Sequence, residues 1–160
     1  MIVANRLLSI ALLQLAVLLA GSAGGACQGE KTEKVKVTLV VILASEEGNT
    51  IDPRLKAIAE EVQKENPKFK SFQLKTMTSK SLLPGAPESF PCIDDKAAQI
   101  TVKHAADKNN KVSLAIVPPD QGEIIYRTVC GKFLPIVTRC KTKSNERLIL
   151  AVRVQPCLGE

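Results

Sequence analysis

Tryptophan is absent from the sequence, and tyrosine (Tyr126) and histidine (His104) occur once each. Aromatic residues make up 3% of the chain, too few for the exposed rings that stack single-stranded nucleic acid. The same scarcity argues against an aromatic-lined ligand groove. One histidine excludes a poly-histidine metal site. The five cysteines contain no C-x-x-C pair, which leaves neither a thioredoxin-type redox pair nor a zinc ribbon. P-loop, EF-hand and dinucleotide-glycine patterns are missing, as is the G-x-S-x-G nucleophile elbow. The adjacent carboxylate pairs Glu46–Glu47, Glu60–Glu61 and Asp94–Asp95 point to opposite faces of a strand or diverge around a helix. None forms the converging pair that glycoside hydrolysis needs. No cofactor and no metal are expected.

What is present begins with an export signal. Arg6 supplies a positive n-region, Leu7 to Ala20 is an unbroken run low in polarity, and small residues follow. A helix of that length spans about 21 Å, short of the ~30 Å hydrocarbon core, so the run does not read as an uncleaved anchor. Residues 1–26 are read as signal peptide, 27–33 as a polar tether and 34–160 as a single domain, in keeping with a chain of 160 residues. Gly24 and Ala26 permit ordinary cleavage before Cys27. Cys27 also resembles the lipid-accepting cysteine of bacterial lipoproteins, although that family prefers a branched aliphatic residue where Gly24 stands. The product is expected outside the cytoplasm, secreted or periplasmic, with a lipid on Cys27 as its one route to a membrane. Removing Cys27 leaves Cys92, Cys130, Cys140 and Cys157, an even set suited to an oxidising compartment.

Along the domain, Val35 to Ala44 is β-branched and continuously apolar, as a central strand covered on both faces must be. Asp52-Pro53 signals a helix start, the carboxylate accepting from free N–H groups and the proline fitting the first turn. Leu55, Ile58, Ala59 and Val62 then form a one-sided stripe. Lys56–Glu60 and Glu60–Lys64 are i,i+4 pairs on the wet side, and Asn66-Pro67 ends the helix. Phe72, Leu74 and Thr76 start a second strand, and the prolines from Ser79 to Pro91 mark a loop or irregular edge. From Ala98 onward the pattern is all strand. A hairpin would set even residues against even, with His104 opposite Leu114. Further strands are expected at Glu123–Cys130, Phe133–Cys140 and Arg147–Val154. The fold class is α+β: one helix packed on a mainly antiparallel sheet, strand–helix–strand followed by a β-meander.

Four sets of residues are candidates for function. His104 is the one side chain suited to general-base work near neutral pH, although its face (Ala98, Ile100, Val102) suits a half-buried histidine at a sheet end. Cys27 is the lipid-attachment candidate. Arg139, Lys141, Lys143 and Arg147 form the densest basic patch in a chain of net charge +6. That patch suits an anionic envelope polymer or headgroup, or a solvated hairpin tip that discourages edge pairing. Cys92, Cys130, Cys140 and Cys157 are the disulfide candidates. A tight turn at Gly131-Lys132 would put Cys140 opposite Glu123, about 23 Å from Cys130, which forbids a bond between them. A wide loop near Pro135 would allow it. Cys157 is placed to reach Cys92.

The segments TLVVILASEEGNTIDPRL and GKFLPIVTRCKTKSNERLILAVRV resemble short exported bacterial proteins that share an apolar strand, a DPRL-type helix start and a C-terminal β-meander. The resemblance implies fold and compartment and supplies no activity. Three readings stand in order. The first is a non-enzymatic exported module binding a protein or envelope component through its sheet surface or edge. The second is a small hydrolase or transferase using His104. The third is a polyanion binder using the 139–147 hairpin. Sequence-specific nucleic-acid binding is not expected.

Overall fold

A computed structural model describes residues 34–156. The order of elements is β1 (Val35–Ser45), a 3-10 turn (Pro53–Leu55) running into α1 (Lys56–Glu65), β2 (Ser71–Leu82), β3 (Pro87–Pro91), β4 (Ala97–His104), β5 (Lys111–Val117), β6 (Ile124–Val129), β7 (Phe133–Lys141) and β8 (Arg147–Pro156). The fold is α+β and mainly β. Two four-stranded antiparallel sheets are present where one was expected. Sheet A has the order β2-β1-β8-β7 and sheet B the order β3-β4-β5-β6.

The apolar run of β1 explains the layering. Its side chains alternate between two cores, so both faces must be apolar. Val35, Val37, Leu39, Val41 and Leu43 point between the sheets, where they meet Leu148, Leu150, Val152 and Val154 of β8 and the inward residues of β4 and β5. Val40, Ile42 and Ala44 point the other way, onto Leu55, Ile58, Ala59 and Val62. The helical stripe read from the sequence is thus buried on the outer face of sheet A. Each fully buried Leu, Ile or Val in these layers contributes about 1.5–3 kcal/mol relative to exposure. The helix starts as its sequence requires: Asp52 Oδ1 accepts from the Arg54 backbone N–H at 3.0 Å and Pro53 occupies the first turn. The expected i,i+4 ion pairs are replaced by Lys64–Glu61 at 2.6 Å, one turn position closer.

Three further expectations are corrected. Of the two readings of Ser79–Pro91, the irregular edge is the one found and the loop is not: β2 continues to Leu82, with a register shift between the partners of Val41 and Ile42, and β3 follows as a short edge. In the β4–β5 hairpin the even-to-even rule holds, but Val102 opposes Leu114, and a shift beyond it sets His104 against Ser113. Most consequentially, β6 and β7 do not form a hairpin. Gly131, at φ 89°, turns the chain from sheet B into sheet A, and its N–H is held by Val154 O at 2.8 Å. Gly85, at φ 99°, makes the matching transfer between β2 and β3, with its N–H on Val102 O at 2.8 Å. Positive φ at these two connectors is what glycine supplies without steric cost.

Candidate functional site

Each sheet ends in two edge strands, and edges need protection because their free N–H and C=O groups template further pairing. Proline or a register shift guards three of the four. β7 has Pro135, which cannot donate to a neighbour, and a register shift between Val137 and Lys141. β3 begins and ends in proline. β2 has Lys75, Lys80 and its own register shift. β6, with the sequence IIYRTV, has no proline, no register shift and one charge, Arg127. Its residues Ile125, Tyr126 and Val129 are 68%, 40% and 41% exposed, three of the five large apolar side chains most open to solvent among the described residues.

Beside this edge lies a groove of about 620 Å³ between α1 and β7. Ala57, Ile58, Glu61, Val62 and Glu65 form the helix wall, and Phe133, Leu134, Pro135 and Val137 the strand wall. Tyr126 reaches it from β6, so one side chain belongs to both the free edge and the groove. Two of the chain's five aromatic residues, Tyr126 and Phe133, line it. The low aromatic content therefore does not preclude a partly aromatic groove. The Arg153 guanidinium sits 4.7 Å from the Phe133 ring centre. Its Nε is buried without a hydrogen-bond partner among the described residues.

The candidates singled out in the sequence are scattered. His104 is exposed at the end of β4, off the apolar face expected for it, because the register shift turns it outward. No cysteine or carboxylate among the described residues is hydrogen-bonded to it, so a nucleophile–base pair is not assembled there. Cys27 and Cys157 lie outside the described residues. In the basic set, Arg147 Nη1 donates to Thr138 O at 3.3 Å and Arg139 O at 3.1 Å. Those carbonyls are freed from the ladder where β7 bulges. Lys141 Nζ donates to Asn145 Oδ1 at 2.8 Å. Two of the four bases therefore hold the hairpin itself, while Arg139 and Lys143 are exposed. Nearby, Lys68 at 3.0 Å and then the fields of Lys141 and Arg147 hold Glu46 below the usual carboxylate range.

Cys92, Cys130 and Cys140 are free thiols in the structure. Cys140 is buried and Cys92 and Cys130 pack against the same inter-sheet core. Lys96 Nζ lies 3.6 Å from Cys140 Sγ and pairs with Asp120. That contact, invisible to a search for sequence motifs, joins the β3–β4 turn, the β5–β6 turn and β7 at one end of the sandwich. The Asp120 pairing holds Lys96 above the ordinary lysine range and Asp120 below the ordinary carboxylate range. Among the described residues no cluster of three or more His, Cys, Asp or Glu could hold a metal ion, and no helix is long and apolar enough to cross a membrane.

No family model matches this chain, and neither the curated proteins nor the solved structures contain a significant match to it.

Proposed function

We propose that this chain is an exported, non-enzymatic binding module that takes an extended segment of a partner protein as a fifth strand on β6. The carrying observation is the asymmetry of the edges: β6 has neither proline nor register shift, exposes Ile125 and Val129 on one face and Tyr126 on the other, and carries the single charge Arg127. Strand addition draws its affinity from main-chain hydrogen bonds and its selectivity from alternating side-chain pockets. Here the groove between α1 and β7, shared through Tyr126, supplies the pocket. A second copy of the chain is the poorer occupant. The antiparallel register that matches Ile125 with Val129 sets Arg127 opposite its own copy, and like charges directly opposed are destabilising. A segment carrying an acid at that position fits better.

Selection of displayed random peptides against the folded chain tests this reading. Enriched sequences should alternate apolar and polar residues, and an Ile125→Lys variant, which adds a second charge to the edge, should lose them while keeping its melting temperature. Equal binding by that variant, or no enrichment at all, would refute strand addition at β6. A His104→Ala variant that lost a screened activity without loss of stability would restore the hydrolase reading. Binding that collapses with salt and with Arg139→Ala would restore the polyanion reading, since counterion release drives such binding.

A further inference from the structure

The geometry points to an oxyanion site on the part of sheet A that α1 leaves open: we propose that Arg153 and Lys36 hold a phosphate monoester group there, free or as the head of a lipid. The β1–β8 register sets Thr38 opposite Arg153 and Lys36 opposite Gln155, and the β1–β2 register sets Thr38 opposite Ser79. Val40, Ile42 and Ala44, further along the same face of β1, are the residues that α1 covers. Beyond them the face turns polar, with Ser79, Thr38, Arg153 and Phe133 in one row across the four strands. Lys36 stands one row further out, a diagonal neighbour of Arg153, and diagonal positions lie about 7–8 Å apart. Two long basic side chains at that spacing can close on one small anion.

Both cations are uncommitted. Neither Lys36 nor Arg153 forms an ion pair among the described residues, and Arg153 Nε is buried without a partner. Glu61 and Glu65 share the groove lining with Phe133, yet neither pairs with Arg153, and Glu61 is bound to Lys64. The Phe133 ring, 4.7 Å from the guanidinium, holds one face of the Arg153 fork and so preorganises it. Thr38 is 1% exposed, and its hydroxyl is 2.8 Å from that of the exposed Ser79. With Thr38 as the donor, Ser79 keeps its own proton for an acceptor outside the chain. The site thus offers a planar fork, a point charge and a hydroxyl, with no carboxylate in either row. A phosphate monoester answers with a charge of about −1.5 to −2 and three acceptor oxygens, whereas a carboxylate brings a single charge and a flat pair of oxygens. The site is separate from the basic hairpin, because Arg147 faces Ala44 at the far end of β1, about 26 Å from Lys36. It is independent of strand addition, which uses the other sheet.

The test titrates the isotopically labelled full chain with inorganic phosphate at constant ionic strength and follows its amide spectrum. Saturable shifts centred on residues 36, 38, 79 and 153 are the expected result, with smaller shifts from acetate. Lys36→Gln, a change at an exposed position, should weaken binding about tenfold, as loss of one charged hydrogen bond does. Arg153→Gln should abolish it, and Arg139→Gln should leave it unchanged. Sedimentation with phosphatidylcholine vesicles, plain or doped with phosphatidic acid, separates the two sources. Capture by the doped vesicles that Lys36→Gln loses assigns a lipid head, and any other vesicle result, with the phosphate shifts in place, assigns free phosphate. Shifts centred on the 139–147 hairpin, an equal response to acetate, no saturable shift, or full phosphate binding by Lys36→Gln would each overturn the site. If Arg153→Gln does not fold, the map of shifts and the Lys36→Gln arm decide the matter.

Discussion

Thr138 illustrates how single side chains hold an edge strand that is out of register. Its hydroxyl donates to Leu148 O at 2.8 Å and accepts from the Cys140 N–H at 3.2 Å, both in buried surroundings. Thr138→Val keeps the shape and removes both bonds, so a buried N–H and C=O lose their partner. The expected cost is about 1–3 kcal/mol, read as a lowered urea midpoint with unchanged slope. A change within experimental error would mean that the bulge closes on itself. Arg147 does related work at the surface, its guanidinium meeting the Thr138 and Arg139 carbonyls. From sequence, the basic residues of this hairpin read as one patch, because a base bound to a backbone carbonyl looks the same as a free one. Asp52, by contrast, was legible: an Asx-Pro pair before an amphipathic stripe has few other uses, and the capping bond is formed.

Among the elements, α1 and β1 were the easiest to read, because their periods are unambiguous. A 3.6-residue stripe has one face to bury, and a continuous β-branched run must be covered on both sides. Ile58, buried between helix and sheet A, gives the direct check: Ile58→Ala should cost about 2–5 kcal/mol. A loss under about 1 kcal/mol, the range of a surface change, would contradict the packing. What the sequence did not disclose is which strands share a sheet. A Gly-Lys pair between two apolar runs reads as a hairpin turn, yet at Gly131 it carries the chain from one sheet to the other. Local pattern specifies a strand and its buried face, while partners separated by long stretches of chain are chosen by the core. For the same reason the meeting of Lys96, Asp120 and Cys140, from three separate segments, could not be foreseen. The exposure of β6 was likewise unreadable, since IIYRTV alone looks like any half-buried strand.

For the whole molecule, the titrating groups define a window of stability. Asp107 accepts from the backbone N–H groups of Lys111 and Asn109, and Asp52 and Asp120 are bonded to Arg54 and Lys96. Each carboxyl is held below its ordinary value of 3.8. A carboxyl depressed in the folded state contributes stability above its unfolded pKa and loses it as pH falls through the folded value. Burial raises the Cys92 and Cys130 thiols above their ordinary 9.0. The unfolded chain ionises these first, so stability falls as pH rises past that value. Urea midpoints of the reduced chain against pH should therefore form a plateau with a falling limb on each side. Asp107→Asn should flatten part of the acid limb and Cys92→Ser part of the alkaline limb. Limbs unchanged by these substitutions would place the titration elsewhere.

The free edge of sheet B decides the functional account, and amide hydrogen exchange reads it directly. The folded chain is compared alone and with a peptide selected to bind it. New main-chain bonds along an edge slow exchange at the amides that join them. Slowed exchange in residues 124–129, with β2, β3 and the 139–147 hairpin unchanged, is the result expected of strand addition on β6. Protection confined to those other edges or to the basic hairpin, with residues 124–129 exchanging as fast as before, would contradict it.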